Sequence, residues 1–186
     1  GIPTETHEME AGRTNLFARV GSGRPVVFVP AHLDVVPAGD GWETDPFEPV
    51  VREGKMYGRG TTDDKGPLTS VLLLAAFFST HPDMLPGTFL VGAVADEERG
   101  SSKGMEYLAE NGMIDADMAI VPDTGESISR VICGEKGLLH CDVTFQGIQA
   151  HGSQPEKGVN AVWAAHAFLS KIRELFGEAP GYLEDE

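Results

Sequence analysis

Cysteine is nearly missing from this chain: Cys133 and Cys141 are the only two in 186 residues. Two are too few for a disulfide framework, and no Cys-x-x-Cys pair is present to hold zinc through sulfur. They read as reduced core thiols of a cytoplasmic protein, since free cysteine packs as a small apolar side chain. Positive charge is also scarce, with 14 Lys and Arg against 29 Asp and Glu and a formal charge of −15. Such a surface repels phosphate backbones and argues against nucleic acid as a partner. It leaves carboxylates available for cations. Long apolar runs are absent: the longest, Val71 to Phe78, falls far short of the roughly 20 residues a membrane span requires. No charged-then-apolar leader opens the chain, and there are no internal repeats, so no membrane role is expected.

What is present is a globular composition, 41% apolar, enough for one ordinary core and the start of a second domain. The first dozen residues, rich in Glu and Thr, carry no pattern. Residues 15–20 and 26–31 read as strands separated by Gly21-Ser22-Gly23, and the second is a continuous apolar run of the kind covered on both faces. Residues 37–60 shift to Gly, Pro, Asp and Trp, which predicts a long loop or hairpin. Long loops inside compact domains usually serve function. Pro67 suits the first turn of a helix ending near His81-Pro82. A buried strand follows at 87–95, then a short helix at 102–111 with Gly112 as C-cap, then a strand at 118–121.

Strand and helix therefore alternate, which predicts an α/β fold with a largely parallel mixed sheet and helices on both faces. After Gly134-Glu135-Lys136-Gly137 the pattern changes to an alternating strand, 139–145, and a helix, 159–176, before an acidic tail. A domain boundary is placed near Glu135, giving segments 1–134 and 135–186.

Several residues with ligand chemistry stand at strand ends. His32 and Asp34 follow the strand at 26–31, and alternate residues of an extended chain point the same way. Ligands in α/β sheets gather at such carboxyl ends. An imidazole can bind a metal while a carboxylate accepts its other ring N–H. Asp63 and Asp64 precede the helix at Pro67, where capping or charge placement against the helix N-terminus is the plainer reading. Glu97 and Glu98 follow the strand at 87–95. Asp123 follows the strand at 118–121, where it would otherwise close an Asx turn with Thr124. Alone, each has a bland explanation. Together they place an imidazole and several carboxylates at ends the topology brings to one edge, a suitable ligand set for zinc, with manganese or cobalt as substitutes. A carboxylate shared by two ions would make a two-metal site.

The chain resembles the zinc-dependent aminoacylases, acetylornithine deacetylases, succinyl-diaminopimelate desuccinylases, glutamate carboxypeptidases and related dipeptidases. The resemblance rests on ordered motifs: His32-Leu33-Asp34-Val35-Val36-Pro37, Gly58-Arg59-Gly60-Thr61-Thr62-Asp63-Asp64-Lys65-Gly66, Asp96-Glu97-Glu98, Pro122-Asp123, Ala150-His151-Gly152-Ser153, and Pro155-Glu156-Lys157-Gly158-Val159-Asn160-Ala161. It implies a three-layer αβα catalytic domain followed by the beginning of an α+β dimerisation domain. It further implies two zinc ions, with His32, Asp63 and Asp123 on one and the bridging Asp63 with Glu98 on the other. Asp34 would orient His32, and Glu97 would be the general base. The Asp63-Asp64 peptide bond is expected to be cis.

By the same resemblance His151 sits on the dimerisation domain and reaches the partner subunit's active site, where it helps stabilise the oxyanion. Asn160 matches a position near that interface. Relatives take a last zinc ligand, a histidine, from a segment beyond the dimerisation domain, and this sequence has no match to it. His7, His81, His140 and His166 receive no metal role. Phe77, Phe78 and Met105 are expected in the core. Arg59 and Lys65 are read as balancing the acids ahead of binding a substrate carboxylate.

The implied activity is hydrolysis of an amide in a small amino-acid derivative, an N-acyl amino acid or a dipeptide, by a homodimer joined through the segment after residue 135. Residues 36–42 and 63–67, with Asp at 123, resemble the dipeptidase branch, whereas the motif at 155–161 occurs in deacylases as well. The alternative is a non-catalytic metal-binding and dimerisation module. Glu97 argues against it, because a binding protein has no need of a base there.

Overall fold

In the computed structural model the structure describes residues 1–123, 131–134, 137, 139 and 141–177. The chain divides into two compact units, Gly1–Val131 and Ile132–Glu186. The expected boundary at Glu135, together with Thr124, His140 and the acidic tail, lies outside the described residues.

The first unit is built on a five-stranded mixed sheet in the order β1-β2-β6-β3-β7. Its strands are β1 (Thr4–Glu8), β2 (Thr14–Gly21), β3 (Val26–His32), β6 (Thr88–Val94) and β7 (Met118–Ala119). A separate hairpin pairs β4 (Val50–Arg52) with β5 (Lys55–Tyr57). β3 runs parallel to both β6 and β7, whereas β2 is antiparallel to β6, and β1 to β2. β2 and β3 are thus neighbours in sequence but not in the sheet, because β6 lies between them.

The two central strands alternate between two cores, as the strand period of two requires. Val29, Phe89 and Val91 face helix α1 (Lys65–Thr80), packing with Ala18, Val20, Val71 and Ala75. Phe28, Leu90 and Val94 face the other way, with Phe17, Val26 and the fully buried Leu108 of α2 (Met105–Glu110). Gly92 gives the Phe28 ring its place, since a Cβ there would lie 2.7 Å from Cε2 of that ring. One helix on each face makes the three-layer arrangement that the alternating sequence pattern predicts.

The differences in detail have local causes. β1 is an edge strand of Thr, Glu and His residues, exposed along most of its length, and so lacks an apolar signature. α1 begins at Lys65, with Pro67 inside its first turn. α2 begins at Met105 instead of 102, because the residues before it are held in a turn by Ser101, whose φ is +62°. The loop at 37–60 does contain a hairpin, turning through Glu53 and Gly54 at positive φ, as two-residue hairpin turns require. Phe78 and Met105 are partly buried against the cores, but Phe77 is 40% exposed and stacks on His81.

The second unit holds α3 (Ala161–Phe176), capped at its N-terminus by the Asn160 side chain, and an antiparallel bridge between Ile148 and Val159. The described part of the strand expected at 139–145, residues 139 and 141–145, is not in a strand. Cys133 and Cys141 are free thiols as expected, but they are exposed rather than in a core. Among the described residues no helix is long and apolar enough to cross a membrane.

Candidate metal centre

Parallel pairing puts the carboxyl ends of β3, β6 and β7 on one edge, and α1 starts at the same edge. Each end delivers acids or an imidazole. His32 is the last residue of β3 and is 2% exposed. Its backbone N–H donates to Asp64 Oδ2 at 2.9 Å, its Nδ1 meets the main-chain carbonyl of Asp34 at 2.9 Å, and its Nε2 lies 2.8 Å from Asp63 Oδ1. A carbonyl can only accept, so Nδ1 carries a proton and Nε2 is left as the atom for a metal.

Around Nε2 the carboxylates converge. Glu97 Oε2 and Asp123 Oδ2 each lie 3.9 Å away. Two sets of donor atoms fall within 4.8 Å of one another, His32 with Asp63 and Glu98, and His32 with Glu97 and Asp123. Ligands bound tetrahedrally to zinc at about 2.1 Å stand roughly 3.4 Å apart, and the contacts at 2.8 and 3.9 Å bracket that spacing. The donors are one imidazole and several carboxylate oxygens, hard-to-borderline ligands of the sort that zinc, manganese and cobalt accept. The residues present therefore fit a divalent cation, and Glu97 falls within ligand reach as well as Glu98.

The electrostatics point the same way. Burial works against a charged His32, yet its hydrogen bonds to Asp63 and to the Asp34 carbonyl, with the fields of Asp64 and Asp63, outweigh burial and raise its pKa. The acid cluster thus favours a cation at Nε2, whether proton or metal. Burial raises the pKa of Glu97, partly offset by His32 and reinforced by Asp123, Glu98 and Asp34. Asp64 is pushed up to about 6 mainly by burial.

Asp64 is a site residue whose capping reading does not hold. Its side chain makes no cap hydrogen bond to α1. Fully buried, it turns to the backbone of His32 with one oxygen, while the other has no hydrogen-bond partner. The Asp63-Asp64 peptide bond is cis. Asp64, His32, Glu97 and Asp123 line a cavity of about 160 Å³, with Val121 and Met105 among the other residues of its wall.

Asp34 meets His32 through its main chain. The main-chain carbonyl orients His32, whereas the carboxylate, with Oδ1 3.6 Å from Nδ1, accepts the backbone N–H groups of Glu97 and Glu98 at 3.1 Å each. Glu98 in turn accepts the N–H of Val36 at 3.0 Å. Among the described residues Arg59 forms no ion pair: its guanidinium donates to the carbonyls of Pro37 and Ala38 and lies over the Trp42 ring at 5.4 Å. In the second unit His151 is exposed, and its Nδ1 contacts Ser153 Oγ at 2.8 Å and accepts the Ser153 N–H at 3.2 Å.

Comparison with known proteins gives this arrangement a lineage. The model of peptidase family M20/M25/M40 matches residues 28–184. An uncharacterised metallohydrolase of Methanocaldococcus jannaschii is 38% identical over 169 residues, covering 86% of this chain and 41% of that protein. A probable succinyl-diaminopimelate desuccinylase of Staphylococcus aureus is 33% identical over 181 residues, covering 95% and 44%. Among solved structures, human carnosine dipeptidase 1 superposes with a TM-score of 0.56 at 29% identity, over 65% of this chain and 29% of that one. A tripeptidase of Staphylococcus aureus, 20% identical, shares the fold over 91% of this chain with a TM-score of 0.57. The chain spans less than half the length of the curated relatives it matches. With its motifs in order and more than half its length matched, the chain belongs to peptidase family M20/M25/M40.

Proposed function

We propose that the protein containing this chain is a metal-dependent hydrolase that cleaves the amide bond of a small amino-acid derivative, an N-acyl amino acid or a dipeptide. The observation that carries this reading is the meeting of the buried His32 Nε2 with the more exposed carboxylates of Asp63, Glu97 and Asp123 within 4 Å. His32, Asp63 and Asp123 would hold one zinc, and Asp63 and Glu98 would serve a second. When bound, such a pair lowers the pKa of water and polarises a carbonyl.

The chain's own groups do the rest. Glu97, its pKa raised by burial, accepts a proton from the attacking water and passes it to the departing amine. Asp34 holds the turn on which Glu97 and Glu98 stand. Since Nδ1 of His151 is an acceptor, its Nε2 bears the proton and is suited to donate to a developing oxyanion. The second unit is the start of a dimerisation domain, and the protein is a cytoplasmic homodimer in which His151 serves the partner's site. The named relatives, a probable desuccinylase and a carnosine dipeptidase, support both acyl and aminoacyl substrates.

The test is a panel of acetyl, succinyl and aminoacyl amides offered to the zinc-loaded full-length protein. Activity is expected toward at least one class, lost with a chelator and restored by zinc. Replacing Glu97 with Gln is expected to lower kcat by several orders of magnitude with zinc content unchanged. Full activity after chelation, or in the Glu97→Gln variant, overturns the reading.

A further inference from the structure

We propose that Asn15, which lies outside every motif described above, is a positioning residue for Glu97 and Glu98, because it clasps both ends of the loop that presents them. The proposal rests on the reading of Glu97 as base and Glu98 as metal ligand.

Asn15 is the second residue of β2, two positions before the core residue Phe17, and it is fully buried. Asparagine is seldom found there without partners. Its Oδ1 accepts the N–H of Ala95 at 2.9 Å, and its Nδ2 donates to the carbonyls of Lys103 at 2.9 Å and of His7 at 3.3 Å. The orientation of the amide follows from its partners, since Ala95 N only donates and the two carbonyls only accept. Ala95 immediately follows β6, and Lys103 closes the excursion that carries Glu97 and Glu98. The two ends touch: a Cβ on Gly104 would lie 2.0 Å from the Ala95 carbonyl oxygen. One side chain thus fastens the base of the loop to the sheet.

The loop needs fastening. Asp96 and Ser101 take φ of +66° and +62°, a region unfavourable for residues other than glycine, and such conformations persist only where neighbours impose them. Inside the loop, Ser101 N–H donates to the Asp96 carbonyl at 2.8 Å and Gly100 N–H to that of Glu97 at 2.9 Å. At its tip, the Asp34 carboxylate holds the Glu97 and Glu98 amides. Tip and base are therefore gripped by two polar side chains from two different strand regions. A leucine at position 15 would fill the volume but leave the Ala95 N–H and the Lys103 carbonyl without their partner, and an unpaired buried group costs more than the hydrogen bond gains.

The test uses the zinc-loaded full-length protein with Asn15→Ala, and with the milder, nearly isosteric Asn15→Asp, which keeps an acceptor for Ala95 but loses the donation to Lys103. Thr88→Val is the control: it removes another buried hydrogen bond, from Thr88 Oγ1 to the Gly23 carbonyl at 2.8 Å, at the opposite end of the same strand β6. Per folded, zinc-containing molecule, the Asn15 variants are expected to lose about 10- to 100-fold in kcat with KM little changed, the range seen when a residue behind a ligand is removed. Amide exchange at Ala95, Glu97 and Glu98 should quicken. Thr88→Val should lower thermal stability while sparing kcat and the exchange at those three amides. An unchanged kcat per folded molecule in Asn15→Ala, alongside a crippled Glu97→Gln, overturns the positioning role and leaves the hydrolase reading intact. Should Glu97→Gln stay active, the hydrolase reading falls, and unchanged exchange at 95–98 would still sink the clasp.

Discussion

The carboxylate of Asp34 accepts the backbone N–H of Glu97 at 3.1 Å, with its other oxygen on the N–H of Glu98 at the same distance. Charged acceptors on paired amides make strong hydrogen bonds, and this pair fixes the turn of residues 97–99 against the end of β3. His32 is oriented independently, by the Asp34 main chain, which no substitution at Asp34 removes. Asp34→Ala is therefore expected to spare the His32 tautomer yet lower zinc affinity on the Glu98 side by about 10- to 100-fold. Competition with a metal chelator measures it, and unaltered affinity would mean that the turn holds itself.

Much of this was legible in the chain because buried strands write continuous apolar runs and ligand residues stand at their ends. β3 and β6 are recognisable for that reason, and so are His32, Glu97, Glu98 and Asp123. β1 was not legible, since an edge strand of Thr, Glu and His buries almost nothing. The target of the Asp34 carboxylate could not be read either, because Glu97 is brought to it by the pairing of β3 with β6 and not by sequence proximity. Asn15 gave no signal: an asparagine in an apolar strand says nothing about which backbone groups it will meet. The exposure of Cys133 and Cys141 likewise depends on the surroundings of the second unit and not on their own chemistry.

The lead-in to β7 is tied to the start of β3 by Asp117, which accepts the Val26 N–H at 2.6 Å and the Arg24 guanidinium at 2.7 Å. The Val26 hydrogen bond, and after it Arg24, hold the Asp117 carboxyl below its ordinary value of 3.8. A depressed carboxyl stabilises the fold fully above the unfolded value and loses that contribution as pH falls through the folded one. Asp117→Asn should thus lower the melting temperature at neutral pH, and the gap to wild type should narrow well below pH 3.8. Thermal scans at the two pH values decide it; a gap that persists in acid would assign the effect to shape and not to charge.

Leu108 connects the site to the core from the side of α2. It is fully buried among Phe17, Val26, Phe28, Leu90 and Val94, while Met105, one turn earlier on the helix, lines the cavity beside His32. Leu108→Ala should cost about 2–5 kcal/mol, the transfer of the lost methyl groups plus the cavity they leave. Denaturant titration of the full-length protein checks it. A loss below about 1 kcal/mol would mean that the site collapses around the smaller side chain.

The proposed oxyanion role of His151 is open to a direct test. It is exposed, it has Nδ1 occupied by the Ser153 backbone, and it lies in a different unit from the acid cluster. If it donates to the oxyanion in the partner's site, His151→Ala should depress kcat by about 10²- to 10³-fold, the usual cost of one such donor, and leave zinc content untouched. A cross-subunit role would make a further demand. In a mixed dimer of His151→Ala with Glu97→Gln, one site receives both intact residues, so combining two inactive proteins should restore part of the activity. Mixing under subunit-exchange conditions and assaying over time measures this. Activity that never rises above that of the separate variants, with exchange confirmed by a labelled subunit, would confine His151 to its own chain.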